Sequence, residues 1–174
     1  MNEMNNEAVQ DVRILRSPEE VYTFVENCKT CLEAYPKYAQ QLYYKAMHVS
    51  RWSRDDYADG LYGEIQKLTD TVGFTICNAE KGDGYGISPL AGNQECMDAL
   101  KGLSKDIRKV EEAIDFAVSQ AETLYAFRCL ANGFHPDDDA LEVDDALMRA
   151  EMELVMARKD AEPLDDAQED GLLD

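Results

Sequence analysis

Residues 93–133, NQECMDALKGLSKDIRKVEEAIDFAVSQAETLYAFRCLANG, place apolar side chains at Cys96, Leu100, Leu103, Ile107, Val110, Ile114, Ala117, Ala121 and Leu124. Gaps of three and four alternate along this run, the spacing that keeps one stripe of a helix facing its neighbours. Asn93 supplies an N-cap, and Asn132-Gly133 a stop. A helix of this length is the seam of a coiled coil or the longest member of a bundle. Unbroken, it spans about 60 Å at about 1.5 Å per residue, so it is expected to bend near Gly102 or to project from the domain.

The flanking sequence repeats the pattern. Ser17-Pro18-Glu19-Glu20 combines a serine cap, a proline in the first turn and a glutamate placed to close a capping box. Val21, Phe24, Cys28, Cys31 and Tyr35 then recur at helical spacing until Pro36 ends or kinks the helix. From Lys37 to Ser50 the stripe is Tyr38, Leu42, Ala46 and Val49, widened by Tyr43, Tyr44 and Met47. Ser53 reads as the cap of a third helix carrying Tyr57, Leu61, Ile65, Leu68 and Val72, with Gly73 as its stop. Residues 74–92 break the period. Phe74-Thr75-Ile76-Cys77 favours an extended run, and Gly82, Gly84, Gly86, Pro89 and Gly92 favour turns, so a small Gly-rich loop or β-hairpin is expected.

The expectation is an all-α bundle of four to five helices in one domain, residues 17–159, with one long central helix. A flexible segment, 1–16, precedes it and a disordered acidic tail, 160–174, follows. The last helix, about 137–159, aligns Ala140, Val143, Leu147, Ala150, Leu154 and Ala157, with Leu141, Met148, Met152, Val155 and Met156 broadening its apolar side.

The charge is concentrated at this end. From Phe134 to Asp174, 15 acids face only Arg149, Arg158 and Lys159, a net of −12 out of −19 for the chain. Such a field disfavours nucleic acid and anionic membrane as direct ligands and favours a partner with a basic surface. The residues expected to meet that partner are Asp137, Asp138, Asp139, Glu142, Asp144, Asp145, Glu151 and Glu153. The tract from Tyr35 to Arg54 contains no acid, while Lys37, Lys45, Arg51 and Arg54 interleave with Tyr38, Tyr43, Tyr44 and Trp52. It reads as a seat for the acidic helix or as an aromatic protein interface.

No catalytic motif competes. Cys28-Lys29-Thr30-Cys31 has zinc or redox spacing, but both cysteines fall on an apolar stripe and no second pair follows, so buried thiols are expected. His48 and His135 are the only histidines, too few for a triad or a histidine-rich metal cluster. Glu111, Glu112 and Asp115, with Asp138, Asp139, Glu142 and Asp145, could chelate magnesium across facing helices as in all-α pyrophosphatases. Only Glu112-Ala113-Ile114-Asp115 of the paired signature is present, and solvated acidic faces are the plainer reading. Gly82, Gly84 and Gly86 lack the strand, helix and lysine of a phosphate loop. Neither a cofactor nor a metal is therefore expected.

Five scattered cysteines, no basic leader and no apolar run long enough for a membrane span point to a soluble cytoplasmic protein. The leading expectation is a non-enzymatic inhibitor whose carboxylates imitate phosphates in the basic groove of a nucleic-acid-binding protein. Phage anti-defence proteins offer an analogy of charge and size, and would place it in a host cytosol. The alternatives are an adaptor that forms homo-oligomers through the long helix, and a metal-dependent all-α hydrolase.

Overall fold

The computed structural model describes residues 12–81 and 87–161. Among these residues every regular element is a helix: α1 (Pro18–Leu32), α2 (Tyr35–His48), α3 (Arg51–Lys81), α4 (Gln94–Ala131) and α5 (Ala140–Ala161). None is long and apolar enough to cross a membrane.

The first four helices make three columns. α1 and α2 lie end to end in one column that runs parallel to α4. Tyr22 of α1 donates to Glu95 near the start of α4, while the end of α2 meets Arg128 near its finish. α3 runs the other way, with Tyr62 donating to Asp115 at 2.6 Å and Arg54 lying 5.3 Å over the Tyr125 ring. α4 packs on α1, α2 and α3, and α2 also packs on α3.

Local chemistry explains the breaks. Ser17 Oγ accepts the Glu20 N–H at 3.2 Å, and the Glu20 carboxylate reaches back to the Arg16 N–H at 2.8 Å. α1 ends at Leu32, the residue four before Pro36. The Pro36 ring has no N–H to offer that carbonyl and would clash with it, so the chain restarts as α2 with proline in its first turn. In α2 the core takes Tyr35, Ala39, Leu42 and Ala46, and leaves Tyr44 and Met47 exposed. Tyr35 donates to Glu64 of α3 at 2.9 Å.

α3 corrects the expectation most. Its cap is Ser50, whose Oγ accepts the Ser53 N–H at 3.0 Å, so Ser53 lies inside the helix. Gly73 does not stop it, and Phe74-Thr75-Ile76-Cys77 is helical, not extended. The reason lies in the segment before α1. Residues 12–16 run along α3, donating the Arg13 N–H to Thr71 Oγ1 at 3.4 Å and the Leu15 N–H to Thr75 Oγ1 at 3.0 Å. Two residues of extended chain advance about 6.6 Å, close to the about 6 Å between threonines one helical turn apart. Leu15 is fully buried by this contact, so the expected flexible segment is packed over 12–16, and residues 1–11 lie outside the described residues.

α4 passes through Gly102 without a break for 38 residues, capped by Asn93 Oδ1 on the Cys96 N–H at 3.1 Å. All nine stripe residues are buried except Val110 and Leu124, which are half-buried. Gly92 and Gly133, at the two ends, take φ of 78° and 82°, a conformation open to glycine at little steric cost. The expected hairpin turn, 82–86, and the acidic tail from 162 onward lie outside the described residues.

Candidate docking surface on the acidic helix

α5 starts later than its sequence suggests. His135, Pro136, Asp137 and Asp138 form a turn in which Asp138 accepts the His135 N–H at 2.8 Å. Asp139 then caps the helix, its Oδ1 accepting the Leu141 and Glu142 N–H groups at 3.0 and 3.3 Å. A carboxylate suits that position twice over, as a hydrogen-bond acceptor and as a charge at the positive end of the helix.

Two of the expected partner-binding carboxylates turn inward. Asp144 is buried, and both its oxygens face the Arg51 N–H, at 3.1 and 2.9 Å, so it covers the open N-terminus of α3. Its Oδ1 also accepts the Tyr125 hydroxyl at 2.8 Å. Burial, and then this bond to a carboxylate, hold the Tyr125 hydroxyl well above the ordinary phenol range. Two turns later Glu151 bridges His48 Nδ1 at 2.9 Å and Arg128 Nη2 at 3.1 Å. Arg128, itself buried, donates its other nitrogen to the carbonyls of Ala46 and Val49, which close α2. One cation thus binds the end of α2 to α5. Val143 and Leu147 complete the inner face.

The tract from Tyr35 to Arg54 does seat the helix, through groups other than the bases that drew attention to it. Contact is made by the Arg51 backbone and His48 directly, and by the α2 carbonyls through Arg128. Lys45 is held by Ser53 at 3.1 Å, and the buried Arg54 by Asp55 and the Tyr125 ring. Tyr125 and Arg128, three residues apart on α4, complete a cluster that the sequence hardly signalled. Its one trace was an arginine beside an apolar stripe.

The other named carboxylates face solvent. Asp137 is 90 % exposed and lies 3.5 Å from His135. Glu142, Asp145 and Glu153 are exposed, and their side chains have no partner among the described residues. Between them lies a wide apolar surface: Leu141 is 76 % exposed, Met152 65 %, Leu154 62 % and Met156 60 %, with Met148 and Val155 also open. Past Glu151 every α5 side chain described is exposed, and Leu154 and Ala157 are left uncovered by the described residues. Met148, Met152, Val155 and Met156 line a groove of about 220 Å³ floored by His48 and Glu151. The Tyr44 ring, tilted against His48 at 4.9 Å between centroids, adjoins it. Methionines are flexible and polarisable, and such surfaces adapt to the partner that fills them. Contiguous exposed apolar surface is a common feature of interaction sites.

Among the described residues the thiol and carboxylate groups singled out in the sequence are dispersed. Cys28 is buried on α1, and burial, with Cys31 beside it, pushes its thiol up to about 12, the opposite of an activated thiolate. Among the described residues no three His, Cys, Asp or Glu side chains gather closely enough to hold a metal ion. Asp115 accepts the Tyr62 hydroxyl instead. No protein-family model, curated protein or solved structure matches this chain.

Proposed function

We propose that this is a non-enzymatic binding protein, a bundle organised on α4 as its central helix, which engages a basic protein partner through α5. The carrying observation is the uncovered methionine face of α5, with Glu142, Asp145 and Glu153 along it. An apolar groove edged by carboxylates suits an amphipathic helix with apolar anchors at helical spacing and lysine or arginine on its flanks. Pairing α5 with another α5 is disfavoured, because Ala140–Ala161 holds six acids against three bases and would meet its own charge.

An inhibitor that covers the basic surface of a nucleic-acid-binding protein fits this reading. The exposed carboxylates would take the places of phosphates, and the methionines would add apolar affinity that a phosphate backbone lacks. In this scheme Asp144 and Glu151 support α5, and Glu151 also forms part of the floor of the groove.

The test uses a synthetic amphipathic peptide with leucine anchors and lysine flanks, titrated by calorimetry and by the emission of Trp52, the sole tryptophan. Binding should weaken at high salt and fall at least about tenfold in Met152→Glu/Met156→Glu, which places charge in the groove, since about 1.4 kcal/mol is a factor of ten. A glutamate-flanked version of the peptide should not bind. Equal binding of both peptides, or of neither, would refute the proposal.

A further inference from the structure

On the opposite part of the bundle lies a basic groove that the reading above does not use. Lys101, Ser104, Lys105, Arg108 and Lys109 of α4 line it with Ile76 of α3 and Glu112, enclosing about 570 Å³. From Ala99 to Val110 the chain carries four bases against Asp106, a local +3 in a protein of −19. Lys109 holds Asp106 at 2.9 Å. Lys101, Lys105 and Arg108 are exposed and have no anionic partner among the described residues.

That arrangement is unfavourable alone. The three cations occupy successive turns at i, i+4 and i+7, and like charges so spaced destabilise a helix by a few tenths of a kcal/mol per pair. They stay unpaired in a chain with 36 acids and 17 bases. The chemistry sought by α5, a helix face carrying cations beside an apolar contact, is present here on the same chain, with Ile76 as that contact. One molecule cannot join the two. Asp144 and Glu151 fix α5 at the far end of α4, and Arg108 lies about 30 Å from Arg128 at about 1.5 Å per residue.

We infer that the groove between α3 and α4 receives α5 of a second copy, so that the protein associates head to tail. This rests on reading α5 as a docking helix. Glu142, Asp145 and Glu153 of one copy meet Lys101, Lys105 and Arg108 of the next, and the α5 methionines meet Ile76. The contact is heterologous: each copy keeps one free arm and one free groove, so the assembly grows unless its rotation closes a ring. Salt acts on it in two directions. At about 0.01 M the screening length is about 30 Å and the net −19 of each copy repels the other, whereas at about 1 M it is about 3 Å and the paired charges are themselves screened. Association peaks between these limits.

Sedimentation velocity of the full chain across concentration and salt tests this, with two variants at exposed sites whose helicity is checked by circular dichroism. The groove variant is Lys105→Glu/Arg108→Glu, and the arm variant is Glu142→Lys/Asp145→Lys. The wild type should sediment faster as concentration rises, most strongly near about 0.15 M salt. Each variant alone should remain monomeric, because it sets like charges against each other. An equal mixture should recover association, because each arm then finds an opposite groove. A monomeric wild type, a groove variant that associates as the wild type does, or a mixture that stays monomeric overturns the inference. The basic peptide separates the two readings: if it binds a monomeric wild type, only head-to-tail contact fails, and if it does not bind, the reading of α5 fails as well.

Discussion

At the scale of single residues, Asp144 shows why charge alone does not tell which carboxylates of α5 face solvent. It belonged to the most acidic part of the sequence, yet its carboxylate closes the N-terminus of α3 and holds the Tyr125 hydroxyl. Alternation of apolar positions marks which side of α5 faces inward, and Asp144 and Glu151 lie beside Val143 and Leu147 on that side. Which acids turn inward depends on donors contributed by residues 51, 125 and 128, far away in sequence. Replacing Asp144 with Ala should lower stability by about 2–3 kcal/mol, combining loss of a helix cap with a stranded buried hydroxyl. Tyr125→Phe should lose only about 1 kcal/mol. In the double variant the penalties should not add, because removing Asp144 already removes what Tyr125 bonds to. Chemical denaturation of the four proteins gives the coupling. Simple additivity would mean that the two side chains do not act together.

At the scale of elements, periodicity was read well where both sides of a helix have a settled environment. The α4 stripe matches the core because the other two columns, α1 with α2 and α3, cover it along its length. α3 was cut short in the sequence reading because local preference favoured extended chain at Phe74-Thr75-Ile76-Cys77 and because Gly73 resembled a stop. Tertiary contact outweighs both: Val72 and Thr75 are buried, and Thr71 and Thr75 serve as acceptors for residues 12–16. At α5 the spacing shows a wide apolar face but leaves open whether the bundle covers it, and beyond Glu151 the described residues do not. Spacing tells which face of a helix is apolar and says nothing about how far the neighbouring helix extends. Since Gly73 is interior to α3 and a Cβ there meets nothing within 4 Å, Gly73→Ala should stabilise the protein by about 0.5–1 kcal/mol. A drop in the melting temperature would show that α3 ends near residue 73 after all.

For the whole molecule, among the described residues nearly all the acid faces water, the buried charges Asp144, Arg128 and Arg54 are each hydrogen-bonded, and the remaining buried ionisable groups are thiols and phenols that stay neutral. This sets the response to alkali. Burial is the leading cause that raises Cys28, Tyr35, Tyr62 and Tyr125, and a carboxylate accepting each tyrosine hydroxyl, Glu64, Asp115 and Asp144 in turn, adds to it. Unfolding returns them to ordinary values of 9.0 for the thiol and 10.0 for the phenols. Below about pH 8 these groups are protonated in both states and make stability independent of pH. Above it the unfolded chain releases protons that the folded chain retains, so stability falls as pH rises, first through Cys28 and then through the three tyrosines. General repulsion at high pH would give a similar decline, so the discriminating measurement compares slopes. Tyr62→Phe/Tyr125→Phe removes two of the linked groups with little change in net charge near neutrality. It should start less stable, yet lose stability less steeply between about pH 9 and 11. Parallel slopes for variant and wild type would assign the decline to repulsion and remove these hydroxyls from the account.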